Sequence, residues 1–312
     1  MTVANLAAYL LAIALALTGA AVFGRSVQPA AAAVAGAAAP VVDARGASLA
    51  PRAWQRIASL DLVGDELLAH LVESGRIAAV STWAQGPEAW RHAGVPRLPG
   101  LGDLEAVIRA RPDLVLASTW GSGDAAKVER LREAGIAVCD LGAAGGLVEL
   151  AANLRRVGAL TGAPERGERL AGQLERRMAA LPARLPERLR GRRALVLTPV
   201  VDQVYGGTAG SSFHDIVTAA GLVDAAAGRF AEPWPRIRAE DALAIDPDVV
   251  VTRLGATAML GGIPGFDRLP AITAGRVIEL PEALYDSPGL SMLDAAEALQ
   301  AAAAALPAEA WR

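Results

Sequence analysis

Ser212, His214 and Asp215 bring the residue types of a hydrolytic triad within four positions. Just before them runs Gly206-Gly207-Thr208-Ala209-Gly210-Ser211, a stretch whose backbone N–H groups could hold a phosphate at a helix start. Neither pattern completes a known chemistry. Neighbouring positions on one helical turn rarely aim at each other, and no nucleophile-elbow motif is present. The glycine run lacks the lysine of a phosphate loop and the spacing of a dinucleotide fingerprint. His214 then reads as a surface or capping residue at a helix start, with Ser211 or Ser212 as the N-cap. His70 and His92 are the remaining histidines, and Cys139 is the lone cysteine, in an apolar strand-like run. A transition-metal site draws on several such ligands, so no resident metal, disulfide framework or catalytic thiol is expected. The expected catalytic residues are none, and no cofactor is called for; an α/β enzyme is the weakest of three functional readings.

Residues suited to binding are better placed. Aromatics make up 4% of the chain, yet several follow apolar runs of strand length. Trp83 follows 77–80, Trp120 follows 114–117, Tyr205 lies beyond 194–197, and Tyr285 follows 277–280. Arg253 follows 249–252, and Trp234 stands between Pro233 and Pro235, which would stiffen its loop. In parallel α/β units ligands bind beyond the carboxyl ends of the strands. Large flat rings there suit a large flat ligand, a corrin or a porphyrin, through area burial and stacking. The competing reading, that Trp83 or Trp120 packs inward, weighs evenly on sequence grounds.

The elements that must hold these residues alternate. Apolar runs at 56–60, 77–80, 114–117, 137–141, 194–197, 249–252 and 277–280 are separated by amphipathic stretches such as 64–71, 104–110 and 125–134. That order predicts parallel sheets covered on both faces. An internal echo divides them. Residues 103–116 and 238–251 each carry a short helix with a Glu, then Pro-Asp, then an apolar strand, and Glu105 and Glu240 stand at the same offset before Pro112 and Pro247. Two such units predict two similar lobes, at 54–145 and 190–306. The connection, 146–186, contains a helical pattern over 164–181 that starts on Pro164 and breaks at Pro182. Eighteen helical residues would span about 27 Å.

Bulk properties agree with a globular two-domain chain. It has 312 residues, 53% hydrophobic and 20% charged, with a formal net charge of −3. Lys127 is the sole lysine, and no basic footprint for nucleic acid is present. Residues 5–24 are uncharged and apolar, and an Ala-rich, Pro-containing stretch continues to Pro40. The run is long enough to span a bilayer, although no Lys or Arg precedes it. Residues 1–40 thus read as a signal peptide or N-terminal anchor with a linker, and the chain as exported. No cysteine follows the run for lipidation.

The ordered series Arg56-Ile57-Ala58-Ser59-Leu60, Asp65-Glu66-Leu67-Leu68, Arg76-Ile77-Ala78-Ala79-Val80, Arg111-Pro112-Asp113-Leu114, Asp246-Pro247-Asp248-Val249, Pro264-Gly265-Phe266-Asp267-Arg268-Leu269 and Gly275-Arg276-Val277-Ile278 resembles the periplasmic binding proteins for cobalamin, haem and iron-siderophores. The resemblance runs from Trp54 to Leu306. It implies the class III fold, with two Rossmann-like lobes with parallel sheets joined by a single long bridging helix and a ligand held between the lobes. It implies a substrate-binding component of an ABC importer that docks on a permease/ATPase complex in the inner membrane. By motif position Glu105 and Glu240 match the docking carboxylates of that family. The segment around Trp234, Glu232-Pro233-Trp234-Pro235, and the turn Thr119-Trp120-Gly121 resemble ligand-facing stretches of cobalamin-binding members. Cobalamin is therefore the first ligand. Haem is the next, with His214, Tyr205 or Tyr285 as axial donor, and a ferric siderophore the third. A monomer is expected, and a membrane-tethered sensor or scaffold of the same fold is the alternative role.

Overall fold

The computed structural model describes residues 39–84, 93–143, 145–285 and 289–311. The apolar segment 5–24 and the linker up to residue 38 lie outside them. Two compact units emerge, one ending at Glu175 and the other beginning at Arg176.

The first unit opens with a hairpin, β1 (Val41–Val42) paired antiparallel with β2 (Ser48–Leu49). Its body is a five-stranded parallel sheet of β3 (Ile57–Ser59), β4 (Ile77–Ser81), β5 (Arg97–Leu98), β6 (Leu114–Ala117) and β7 (Ala137–Asp140), in the order β5-β4-β3-β6-β7. All of β3 and β6 is buried, as a sheet covered on both faces requires. The covering helices are α1 (Leu62–Leu71), α2 (Leu104–Arg109), α3 (Ser122–Glu133) and α4 (Leu147–Thr161). Ala58, Val107, Val115, Val128, Leu131 and Val138 form one continuous core between sheet and helices. Cys139 is buried in β7, and burial pushes its thiol up to about 12, so it is an inert packing residue.

Helix α5 runs Pro164–Arg184 without stopping at Pro182, and the division between the units falls inside it. The expected break does not occur because Pro182 stands in the last turn, where its missing N–H forfeits a single hydrogen bond. Gly158 of α4 and Gly167 of α5 let the two helices touch at backbone distance; a Cβ on Gly158 would lie 3.0 Å from Gly167 Cα.

The second unit is a four-stranded parallel sheet of β8 (Arg193–Val196), β11 (Val223–Asp224), β12 (Val249–Arg253) and β13 (Val277–Leu280), in the order β11-β8-β12-β13. A hairpin of β9 (Thr198–Val200) and β10 (Gln203–Tyr205) follows β8 at once. The helices are α6 (Ser212–Ala219), α7 (Ala239–Ile245), α8 (Ala256–Gly262), α9 (Pro270–Thr273), α10 (Glu282–Tyr285) and α11 (Ser291–Ala305). Gln300 of α11 donates to Leu181 O at 2.8 Å and Ala220 O at 3.0 Å, and Arg177 pairs with Asp294 and Glu297.

The internal echo holds at atomic detail. Arg111 and Asp246, each just before its proline, both take the left-handed backbone with φ 48°. Pro Cδ disfavours the right-handed helical region for the preceding residue, so the chain turns out of its helix there. Asp113 then accepts Arg56 N at 3.0 Å and returns its own N–H to Arg56 O at 2.8 Å. Asp248 does the same with Arg193, at 2.8 and 2.9 Å. In each unit the Pro-Asp step locks the start of the neighbouring parallel strand. The short strands β1, β2, β5, β9, β10 and β11 had no sequence counterpart among the expected runs, being only two or three residues long.

Candidate functional site

In the first unit the carboxyl ends of β4 and β6 lie on either side of β3. Trp83 and Trp120 follow those ends and are 64% and 52% exposed, whereas Trp54 and Trp311 are 4% and 6% exposed. The exposure decides between the two sequence readings: neither ring packs inward. Their turns are tightly held. Trp83 N donates to Ser81 Oγ at 3.1 Å, and Ser81 in turn donates N–H and Oγ–H to Asp65 at 2.9 and 2.6 Å. Trp120 N and Gly121 N donate to Asp124 Oδ2 at 3.1 and 3.2 Å. Ser118 N donates to Asp61 Oδ2 at 2.6 Å.

Arg45, from the turn between β1 and β2, reaches the same edge. Its Nε and a terminal nitrogen donate to Thr119 Oγ1 at 3.0 and 2.7 Å, and Thr119 hydrogen-bonds the buried Asp140. The guanidinium is half-exposed beside the Trp120 turn. Sequence reading passed over Arg45, because nothing local marks a residue that a two-strand hairpin carries across to another strand's end. It also passed over Asp61 and Asp65, whose i, i+4 spacing ahead of an apolar helix was the available signal. Burial pushes the Asp61 carboxyl up to about 6, against the hydrogen bonds from Gly64 N and Ser118 N. Burial likewise raises Asp65, opposed by its bonds to Ser81.

In the second unit Trp234 is 42% exposed and stands edge-on to Phe213, with centroids 5.3 Å apart and an interplanar angle of 70°. The prolines beside it are pinned from behind: Thr208 N donates to Pro233 O at 3.0 Å and Gly206 N to Pro235 O at 2.9 Å. The glycine run therefore spends two of its N–H groups on this segment. Gly206 and Gly207 also leave the room that Ile237 and Phe213 fill, since a Cβ on either would come within 2.9 Å of those side chains. Close packing under Trp234, and not phosphate binding, accounts for the glycines. Tyr205 is half-buried and its hydroxyl donates to Gln203 Oε1 at 2.8 Å. Arg253 ends β12, half-buried, and donates to Pro199 O at 3.1 Å.

Tyr285 is placed differently from the exposed rings. It is only 2% exposed, packs against Phe213 with centroids 4.5 Å apart and the rings tilted by 46°, and shares a 2.7 Å hydrogen bond with Thr198 Oγ1. It backs the aromatic cluster from within, because α10 turns its side chain inward after β13. Ser211 occupies the N-cap position of α6, but neither it nor Ser212 caps: the N-cap makes no side-chain bond and Ser211 Oγ is buried without a hydrogen-bond partner. His214 is not a plain surface residue either; its Nδ1 lies 2.8 Å from Asp224 Oδ2, which also accepts Thr208 Oγ1 at 2.9 Å. At the tip between β9 and β10, Val201 is 85% exposed with φ 57°, a strained backbone for a β-branched residue.

Glu105 and Glu240 each sit in the first turn of a short helix, α2 and α7, and are exposed. Glu105 has Arg109 at 4.0 Å, an exposed pair of little energetic weight. Among the described residues no group of three His, Cys, Asp or Glu is arranged to hold a metal ion, and no helix is long and apolar enough to cross a membrane.

Known proteins of this architecture are numerous. The apo haem-binding periplasmic protein RhuT from Roseiflexus sp. RS-1 superposes with a TM-score of 0.68 at 24% identity, covering 81% of this chain and 99% of its own. The periplasmic vitamin B12 binding protein BtuF of Vibrio cholerae gives 0.67 at 22%, covering 82% and 99%. An ABC transporter substrate-binding protein from Listeria monocytogenes EGD-e gives 0.65 at 16%, covering 79% and 97%. No curated protein matches. The fold is that of these binding proteins: two α/β units, each with a parallel sheet. A family model described as periplasmic binding protein matches residues 57–284, taking in both sheets and the exposed tryptophans. With both parallel units and the Pro-Asp echo inside that match, the chain belongs to the periplasmic binding protein family, a family that binds and does not catalyse.

Proposed function

We propose that this protein is the extracytoplasmic substrate-binding component of an ABC importer for a metal chelate, with cobalamin as the first ligand. The observation that carries the reading is the exposure of Trp83, Trp120 and Trp234 in turns pinned by hydrogen bonds. An exposed indole held rigid loses little entropy on meeting a flat ligand. In the second unit Tyr205 ends β10 and Arg253 ends β12, both half-buried, and in the first Arg45 adds an anchored positive charge. Titration of the purified protein with cyanocobalamin, followed by absorbance and calorimetry, tests the reading. Saturable binding that weakens in Trp120→Ala or Trp234→Ala supports it; indifference of affinity to all three tryptophans removes it.

Haem is a second reading, favoured by the His214–Asp224 pair. A carboxylate beside Nδ1 orients the ring, an arrangement found behind metal-ligating histidines. A Soret shift on adding haemin, abolished in His214→Ala, would move the ligand from cobalamin to haem. Tyr205 is the other candidate donor. Tyr285 supports Phe213 from within and would donate only if it turned out of its packing.

The partner in this proposal is a permease/ATPase complex of the inner membrane, met through Glu105 and Glu240. Their equal placement in the two repeated units supports a two-fold partner. The protein acts in the periplasm by differential binding, and ATP hydrolysis by its partner drives release. A tethered sensor or scaffold would share the fold without needing these carboxylates.

A further inference from the structure

Two turns, one helix. Asp61 is the N-cap of α1, and its Oδ1 accepts Gly64 N at 2.9 Å. Its other oxygen leaves the helix and accepts Ser118 N at 2.6 Å, two residues before Trp120. Asp65, one helical turn later on the same face, accepts Ser81 N at 2.9 Å and Ser81 Oγ at 2.6 Å, and that Oγ receives Trp83 N at 3.1 Å. Strands β4 and β6 are not neighbours; β3 separates them. One helix therefore grips the exit turns of two strands that do not touch, and those two turns carry the two exposed tryptophans of this unit.

A helix that needed only a cap would require one carboxylate. Burying a second beside it is costly, since the interior disfavours the charged form of each. The height of α1 is also set. A Cβ on Gly64 would overlap the Ser59 hydroxyl and come within 3.3 Å of Leu116 Cβ, so the helix lies directly on β3 and β6. Such expense at a strand edge, spent on hydrogen bonds to the two exit turns, points to a geometric task.

We infer that Asp61 and Asp65 are positioning residues for the ligand, Asp61 setting the pose of Trp120 and Asp65 that of Trp83, with α1 holding the two rings in fixed relation. The inference rests on the reading of these rings as ligand surface. Neither carboxylate touches the ligand itself.

The test uses the full chain labelled with 5-fluorotryptophan, whose six tryptophans give fluorine resonances assignable by single Trp→Phe changes. Asp61→Asn keeps an oxygen for Gly64 N, so α1 stays capped, but turns an NH2 towards the Ser118 N–H. Only the Trp120 resonance should move, and affinity for cyanocobalamin or haemin, whichever saturates the wild type, should fall about tenfold. Asp65→Ala should move only the Trp83 resonance. Asp65→Asn should restore it, because an amide still accepts from Ser81 N and can donate to Ser81 Oγ. Resonances of Trp83 and Trp120 that stay in place overturn the inference. So does a joint shift of all six with a lowered Tm, which is the mark of a purely structural role, or a selective shift with unchanged affinity. If the wild type saturates with neither chelate, the cobalamin and haem readings of the proposed function fail on that ground alone, and the resonances still decide whether the carboxylates pose the rings.

Discussion

At the scale of the residue, Trp234 and the aromatic residues behind it divide the labour of one cluster. Trp234 presents a ring to solvent while Phe213 and Tyr285 support it from within. Burying an indole face contributes about 1.5–3 kcal/mol, which corresponds to roughly ten- to a hundredfold in affinity. Trp120→Ala and Trp234→Ala are therefore expected to weaken ligand binding by that factor in calorimetric titration, with little change in Tm. Tyr285→Phe should do the reverse. It removes the hydrogen bond to Thr198 and lowers stability by about 1 kcal/mol in urea unfolding, leaving affinity near wild type.

Asp61 supplies a pH prediction at the same scale. Its carboxyl ionises near 6 in the folded chain against an ordinary value of 3.8. A raised folded value means that the folded state takes up the proton first. The contribution of this group to stability is then complete below about pH 4 and is lost as pH rises through 6. Urea midpoints of the wild type, compared with those of Asp61→Asn, should improve as pH falls from 7 towards 4.5. A constant difference over that range would show that the carboxyl titrates in its ordinary place.

At the scale of the element, the crossing of α4 and α5 is decided by two glycines that a propensity argument would count as weak points. A Cβ on Gly158 would stand 2.9 Å from Ala163 O, and one on Gly167 would overlap Leu154 O. Gly167→Ala should therefore destabilise the protein by about 1–3 kcal/mol in spite of the helix propensity gained. The salt bridge that clasps the same pair, Arg155 to Glu168 at 2.8 Å and Glu175 at 2.6 Å, is exposed, and Arg155→Ala should cost under about 1 kcal/mol by the same assay. The contrast ranks steric fit above surface charge at this joint.

At the scale of the whole molecule, the proposed docking role of Glu105 and Glu240 is one that only the presence of the permease would reveal. Reversal of both charges, Glu105→Lys with Glu240→Lys, is expected to abolish uptake in cells while ligand affinity of the purified protein stays within about twofold, since each is a solvated surface group. Undiminished uptake would return both residues to the ordinary helix surface and favour the sensor reading.

The sequence by itself determined the class of fold, the strand-helix alternation and the repeat. Long apolar runs and Pro-Asp steps are local signals, and local physics imposes them wherever they occur: Pro112 and Pro247 turn the chain the same way in both units. It also determined the list of aromatic residues that follow strands. What only tertiary structure decided was which of them face outward. Trp83 and Tyr285 stand alike after apolar strands in the sequence, yet one is largely exposed and the other sealed beneath Phe213 and Thr198. Orientation at a strand exit depends on the turn's hydrogen bonds, and their partners come from distant positions: Asp65 for the Trp83 turn, Asp61 and Arg45 for the Trp120 turn. Pairings of that kind join residues up to 74 positions apart, beyond the reach of any local pattern.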